Sequence, residues 1–141
     1  MKKILLFVAM FTTLGFWTNA QTIEDFESIT MNFFSGGTNG MLSVAANPDT
    51  AGNHSLYVGK MVRGFDGDPW AGWWSVLPTP IDLTANPYVH IKVWKPRVSP
   101  VAFKVEEGAG NSGDVFPMNP QSLTNQWEEL VYDMSATPAT G

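Results

Sequence analysis

The chain has 141 residues, with 13 acidic residues against eight Lys and Arg, no cysteine, and an apolar content of 44%. Too few basic residues are present to neutralise a phosphate backbone or to hold an anionic membrane surface, so nucleic acid is not a ligand this composition suits. With no cysteine, disulfides, thiolate zinc sites and a cysteine nucleophile are excluded.

Residues 1–20 read as a cleavable secretory signal peptide. Lys2 and Lys3 make a basic start, Ile4 to Trp17 is almost wholly apolar, and Thr18-Asn19-Ala20 supplies small residues at the cut. The apolar stretch is shorter than the about 20 residues a membrane-spanning helix requires. The expected destination is therefore secreted, periplasmic or cell-surface, with no membrane insertion once the signal is cleaved. The mature part, 21–141, keeps six basic and all 13 acidic residues, a net charge of −7. Its 121 residues suit one domain with one core.

Ile23 to Ile29 predicts a first strand anchored by Phe26, with Met31 to Phe34 as its candidate extension. Ser35 to Gly40 is a loop by its glycines. Met41 to Ala46 predicts a second strand, closed by Asn47-Pro48-Asp49. His54 to Arg63 alternates, with Leu56 and Val58 opposite Tyr57, Gly59 and Met61. A turn-rich stretch from Phe65 to Trp70 leads to a short aromatic strand, Ala71 to Leu77. Ile81-Asp82-Leu83 is a candidate helical turn within a connection. Tyr88 to Trp94 is the clearest strand: Val89, Ile91 and Val93 share one face, His90, Lys92 and Trp94 the other. Val101 to Glu107 repeats the pattern, with Val101, Phe103 and Val105 inward. In Gln126 to Met134, Leu130, Tyr132 and Met134 share a face. Short strands of period two, separated by turn signals, predict an all-β sandwich or jelly roll.

The order of DFE at 25–27, NP at 47–48, VGKMVRG at 58–64, PWAG at 69–72, HIKVWKP at 90–96, FKVE at 103–106 and QWEELVYD at 126–133 resembles a known family. It is similar to the galactose-binding-like jelly-roll carbohydrate-binding modules of secreted bacterial polysaccharide-degrading enzymes and surface glycan-binding proteins. The resemblance implies a non-catalytic accessory role, with polysaccharide as partner and further domains downstream. Such modules close with one more strand, of aromatic-Asp-Asp-hydrophobic pattern, whereas this sequence stops at Thr137 to Gly141. The sandwich is thus expected to be incomplete at its C-terminus. The resemblance also implies a structural Ca²⁺ near the first strand, with Asp25 and Glu27 as matching residues. No other cofactor is required.

Sugar rings stack their C–H faces on flat aromatic side chains, and a few polar groups fix the hydroxyls. Trp94 stands in register with Lys92 and His90 on a polar strand face. If the 95–100 loop makes a hairpin, Lys104 and Glu106 join that face; the alternative is that Trp94 packs under a loop and Lys92, Lys104 and Glu106 form a solvated charge ladder. Trp70, Trp73 and Trp74 form a second cluster; the adjacent pair must face opposite ways in a strand, so one of the two is expected in the core and the other, Trp74 or its neighbour, is open for binding alongside Trp70. Trp127 reads as core or as a strand-end anchor. Asp66-Gly67-Asp68 reads as a solvated turn, since nothing nearby completes a calcium loop. Glu106-Glu107 and Glu128-Glu129 are adjacent pairs that face apart, unlike glycosidase carboxylates. Two rival readings are a structural or adhesion domain with its tryptophans buried, and a small glycan-active enzyme with two converging ionisable groups of perturbed pKa.

Overall fold

The computed structural model describes Phe26, residues 30–108 and residues 110–137. These residues form eight strands and no helix: β1 (Asn32–Phe34), β2 (Met41–Ala46), β3 (Tyr57–Val62), β4 (Gly72–Trp74), β5 (Tyr88–Trp94), β6 (Glu106–Glu107), β7 (Gly110–Asn111) and β8 (Trp127–Asp133). The signal-peptide reading and most of the first predicted strand lie outside the described residues. The described residues are all-β, built from small antiparallel sheets.

Among the described residues each strand has one ladder partner: β1 with β4, β2 with β3, β5 with β8 and β6 with β7. Two ladders are local hairpins. Each of the other two closes around one of them, so that β1 and β4 bracket β2–β3, and β5 and β8 bracket β6–β7.

The alternation in β5 and β8 fixes the core. Val89 stands opposite Tyr132 and Ile91 opposite Leu130, so both apolar sets emerge on the same face of the ladder. Val89, Leu130, Tyr132 and Met134 are buried there, and Val101, Phe103 and Val105 pack against them. The Phe103 and Tyr132 ring centres are 5.7 Å apart. The Tyr132 hydroxyl donates to the Val101 carbonyl at 3.2 Å, which satisfies its one polar atom. Burial pushes that hydroxyl up to about 12, because ionising it here means charging a dry site.

The strand expected over Val101 to Glu107 is shorter and differently partnered. It forms a hairpin with the chain that follows, through the Phe103–Val115 bridge and the β6–β7 pairing. Between Val105 and Phe103 the partner strand holds one extra residue, a β-bulge. Ser112 serves it from both ends: its N–H donates to Val105 O at 2.9 Å, and its hydroxyl accepts the Val105 N–H at 3.0 Å.

No 95–100 hairpin joins this segment to β5. Pro96 and Pro100 bracket the connection and neither has an N–H to give a ladder. The loop is instead tied down by Gln121, which is buried. Gln121 accepts the Ser99 N–H at 3.0 Å and donates to Leu123 O at 2.6 Å. Lys95 donates to Ser99 O at 2.8 Å, and its burial lowers its pKa, helped by the Arg97 charge.

The other half is open. Among the described residues, the buried apolar side chains all belong to β5, β8 and Met134, while Phe34, Met41, Val44, Met61 and Val62 are exposed.

Candidate functional site

The site is built from the segment 63–74. Asp68, Pro69, Trp70 and Ala71 make a β-turn, closed by the Ala71 N–H donating to Asp68 O at 3.0 Å. Asp at the first place and Pro at the second are the residues such a turn favours, because Pro arrives with its φ already set. Trp70 therefore stands at the corner of the turn, and 66% of it is exposed. The turn runs directly into β4.

Pairing decides where the next two tryptophans go. Asn32 stands opposite Trp74, Phe33 opposite Trp73 and Phe34 opposite Gly72. Asn32, Phe34, Gly72 and Trp74 thus share one face. A Cβ at Gly72 would lie 2.9 Å from the tip of the Phe34 ring, which would have to shift to admit it. Trp74 is 52% exposed and Phe34 is exposed beside it. Trp73, on the opposite face, meets Phe26 edge-on with ring centres 5.2 Å apart but is still 36% exposed. Neither of the adjacent tryptophans is core, because among the described residues the open β1–β4 ladder has no buried apolar layer on either side. The result is an aromatic surface on one side of the β1–β4 ladder, with Trp70 at its margin.

Behind the turn, the glycine loop 35–40 docks on residues 63–68. Gly64 N donates to Gly36 O at 2.8 Å and Asp68 N to Ser35 O at 3.0 Å. The Asp66 carboxylate accepts the Thr38 hydroxyl at 2.8 Å and the Thr38 N–H at 2.6 Å. Those two bonds, the hydroxyl's first, hold its pKa below the ordinary carboxylate range. Arg63 donates to Gly67 O at 2.7 Å. The Asp66-Gly67-Asp68 turn is thus a structural clamp through Asp66. The carboxylate of Asp68 takes no hydrogen bond or ion pair among the described residues.

The remaining expected residues lie elsewhere. His90, Lys92 and Trp94 do share the second face of β5. His90 Nδ1 lies 3.3 Å from Glu129 Oε2 on β8. Lys92 donates to Gly52 O at 2.9 Å. Trp94 is half-buried and meets Trp127 edge-on at 5.7 Å. Trp127 in turn donates to Asn47 Oδ1 at 3.1 Å and to Asp49 O at 2.9 Å, and the backbone of Gly52 lies against its ring. This face therefore carries the 47–53 loop. Lys104 and Glu106 pair with each other at 2.6 Å, which raises the Lys104 pKa; with β6 bound to β7, they do not extend the β5 ladder. Asp25 and Glu27 lie outside the described residues, and among those described no group of three His, Asp or Glu is placed to hold a metal.

Two features of the site were not singled out from sequence. Phe65 is 87% exposed, and an apolar ring in a glycine-and-aspartate turn was the available signal. Asp68 was grouped with Asp66, although the two carboxylates do different things. Searches of protein-family models, of curated proteins and of solved structures return no match to this chain.

Proposed function

We propose that this protein binds polysaccharide without acting on it, as an exported accessory module of jelly-roll type, through exposed aromatic and polar side chains on one sheet face. The observation that carries the reading is the exposure of Trp70 and Trp74 on a turn and strand tied down by the Asp66–Thr38 hydrogen bonds and the β1–β4 ladder. A tryptophan left in water on a fixed backbone loses the burial its ring would gain inside a core. Stacking on a sugar ring recovers part of that gain, with little entropy lost because the backbone is already ordered. Asn32 on the same face donates its amide N–H to Trp74 O at 3.4 Å, which leaves its Oδ1 to accept from hydroxyls.

The rival structural reading requires all these tryptophans to be buried, and the open state of Trp70 and Trp74 favours binding over it. The shifted carboxylates Asp66, Glu128 and Asp133 are all lowered by hydrogen bonds. A general acid needs the opposite shift. His90, Lys92 and Trp94 on β5 are a second polar area of lower weight, since Trp94 is half-buried and the Lys104–Glu106 pair belongs to a separate hairpin. A structural Ca²⁺ held by Asp25 and Glu27 belongs to the same proposal.

The test is retention of the purified chain on a panel of soluble and insoluble polysaccharides, read by pull-down and tryptophan fluorescence, with and without EDTA. Saturable retention with a fluorescence shift supports the reading, and an EDTA effect supports the Ca²⁺ site. No retention by a demonstrably folded chain moves the weight to a structural role.

A further inference from the structure

We infer that the Trp70 site selects uncharged glycan chains over carboxylated ones, and that Asp68 is the residue that sets this preference; the inference rests on the binding role proposed above. The Asp68 main chain is committed: its N–H donates to Ser35 O and its carbonyl accepts from Ala71, at 3.0 Å each. Its carboxylate is not. Asp66, two residues earlier, spends both oxygens on Thr38. Asp68 is therefore an uncommitted acceptor on a backbone held at both its N–H and its carbonyl, half-buried, two residues along the chain from the exposed Trp70.

A carboxylate acceptor suits a neutral sugar. Hydroxyl groups donate to it, and a charge-assisted bond is stronger than one between neutral groups. A uronic acid or carboxymethyl group would instead meet a like charge. Relief from a neighbouring cation is scant. From residue 30 to 77 the Lys and Arg residues are Lys60 and Arg63 alone, and Arg63 is turned onto Gly67 O between the two aspartates. The stretch 63–70 thus carries one positive and two negative charges. The chain as a whole, at −5, adds repulsion of the same sign.

The test uses matched pairs: a neutral glucan with its carboxymethylated form, and a neutral galactan with polygalacturonate, each titrated against the whole purified chain at low and at 0.5 M NaCl, roughly fivefold above the ionic strength where charges about 10 Å apart are already screened. The expected result is tighter binding to the neutral member, independent of salt, with the gap narrowing as salt rises. Asp68→Ala should weaken neutral binding about tenfold, the loss of one charged hydrogen bond. Asp68→Asn should raise affinity for the carboxylated member. Neither variant disturbs the main-chain bonds of Asp68, and an unchanged melting temperature verifies that. Preference for the carboxylated member, weakened by salt, overturns the inference while leaving the aromatic platform standing. So does a loss of binding in Trp70→Ala with none in Asp68→Ala. No retention of any glycan removes the binding reading and this inference together.

Discussion

Trp94 and Trp127 stand directly opposite one another at the end of the β5–β8 ladder, their rings edge-to-face with centres 5.7 Å apart at 68°. Such a pair is worth about 0.5–1.5 kcal/mol beyond the area it buries. Trp94→Ala should therefore lower stability by about 2–4 kcal/mol, near the range for removing a large aromatic ring. Urea unfolding checks it. If stability is unchanged while glycan binding is lost, Trp94 belongs to the binding surface after all.

Trp127 holds the 47–53 loop through one indole N–H shared between Asn47 Oδ1 and Asp49 O. Trp127→Phe keeps a ring on the ladder and removes the donor. The expected cost is about 1–3 kcal/mol, since two acceptors lose a partner. Hydrogen exchange should quicken in residues 47–55 and leave β5 unchanged.

Trp70 and Trp74 should separate binding from folding. Trp70→Ala and Trp74→Ala remove exposed rings, so each should shift stability by under about 1 kcal/mol, as surface changes do. Glycan retention should fall at least tenfold in either. Thermal melts and pull-downs on the same preparations measure both.

Glu128 gives the fold a dependence on acid. Its carboxylate accepts the Leu123 N–H at 2.9 Å, the Ser122 N–H at 3.0 Å and the Ser122 hydroxyl at 2.8 Å. The Leu123 bond leads in holding its pKa below the ordinary value. A lowered folded pKa means that the unfolded chain takes up protons first as pH falls. The stabilisation is thus complete above the ordinary glutamate value of about 4.3 and is lost as pH drops through the folded value. Melting temperature measured from pH 7 to pH 3 should fall less steeply in Glu128→Gln than in the parent.

Tyr132 behaves in the opposite sense. Its hydroxyl is raised to about 12, so the neutral form is favoured in the folded state. That contribution is intact below about 10, the ordinary tyrosine value, and is lost as pH rises toward 12. Tyr132→Phe leaves the Val101 carbonyl without its donor and should cost about 1 kcal/mol at pH 7. The same variant should lose the late step in an alkaline absorbance titration.

The core was legible because its signal is periodic. Val89, Ile91 and Val93, with Leu130, Tyr132 and Met134, alternate so regularly that one register turns them to a common face, where Val89, Leu130, Tyr132 and Met134 are buried and Ile91 and Val93 pack against them. The partner of β5 was not legible, because alternation states which face is apolar and not which strand lies alongside. The two prolines bracketing residues 97–99 held the clue, and a short loop outweighed them. The open ring of Trp70 follows from the Asp-Pro-Trp-Ala turn, which the sequence announces. The division of labour between Asp66 and Asp68 does not follow from spacing, since it depends on Thr38, 28 residues from Asp66 in the chain.

The bracketing of each hairpin by a more distant ladder implies an order of assembly. Bringing β1 to β4, or β5 to β8, closes a long stretch of chain, and the entropy lost grows with the length left free. Once β2–β3 or β6–β7 has zipped, much of that stretch is already shortened. The hairpins, forming on a scale of about microseconds, therefore lower the barrier for the outer pairings, which set the overall rate. The bulge at Ser112 and the Gly108 turn lie in the inner hairpin of the half that carries the core. Substitutions there should slow refolding out of proportion to the contacts they remove.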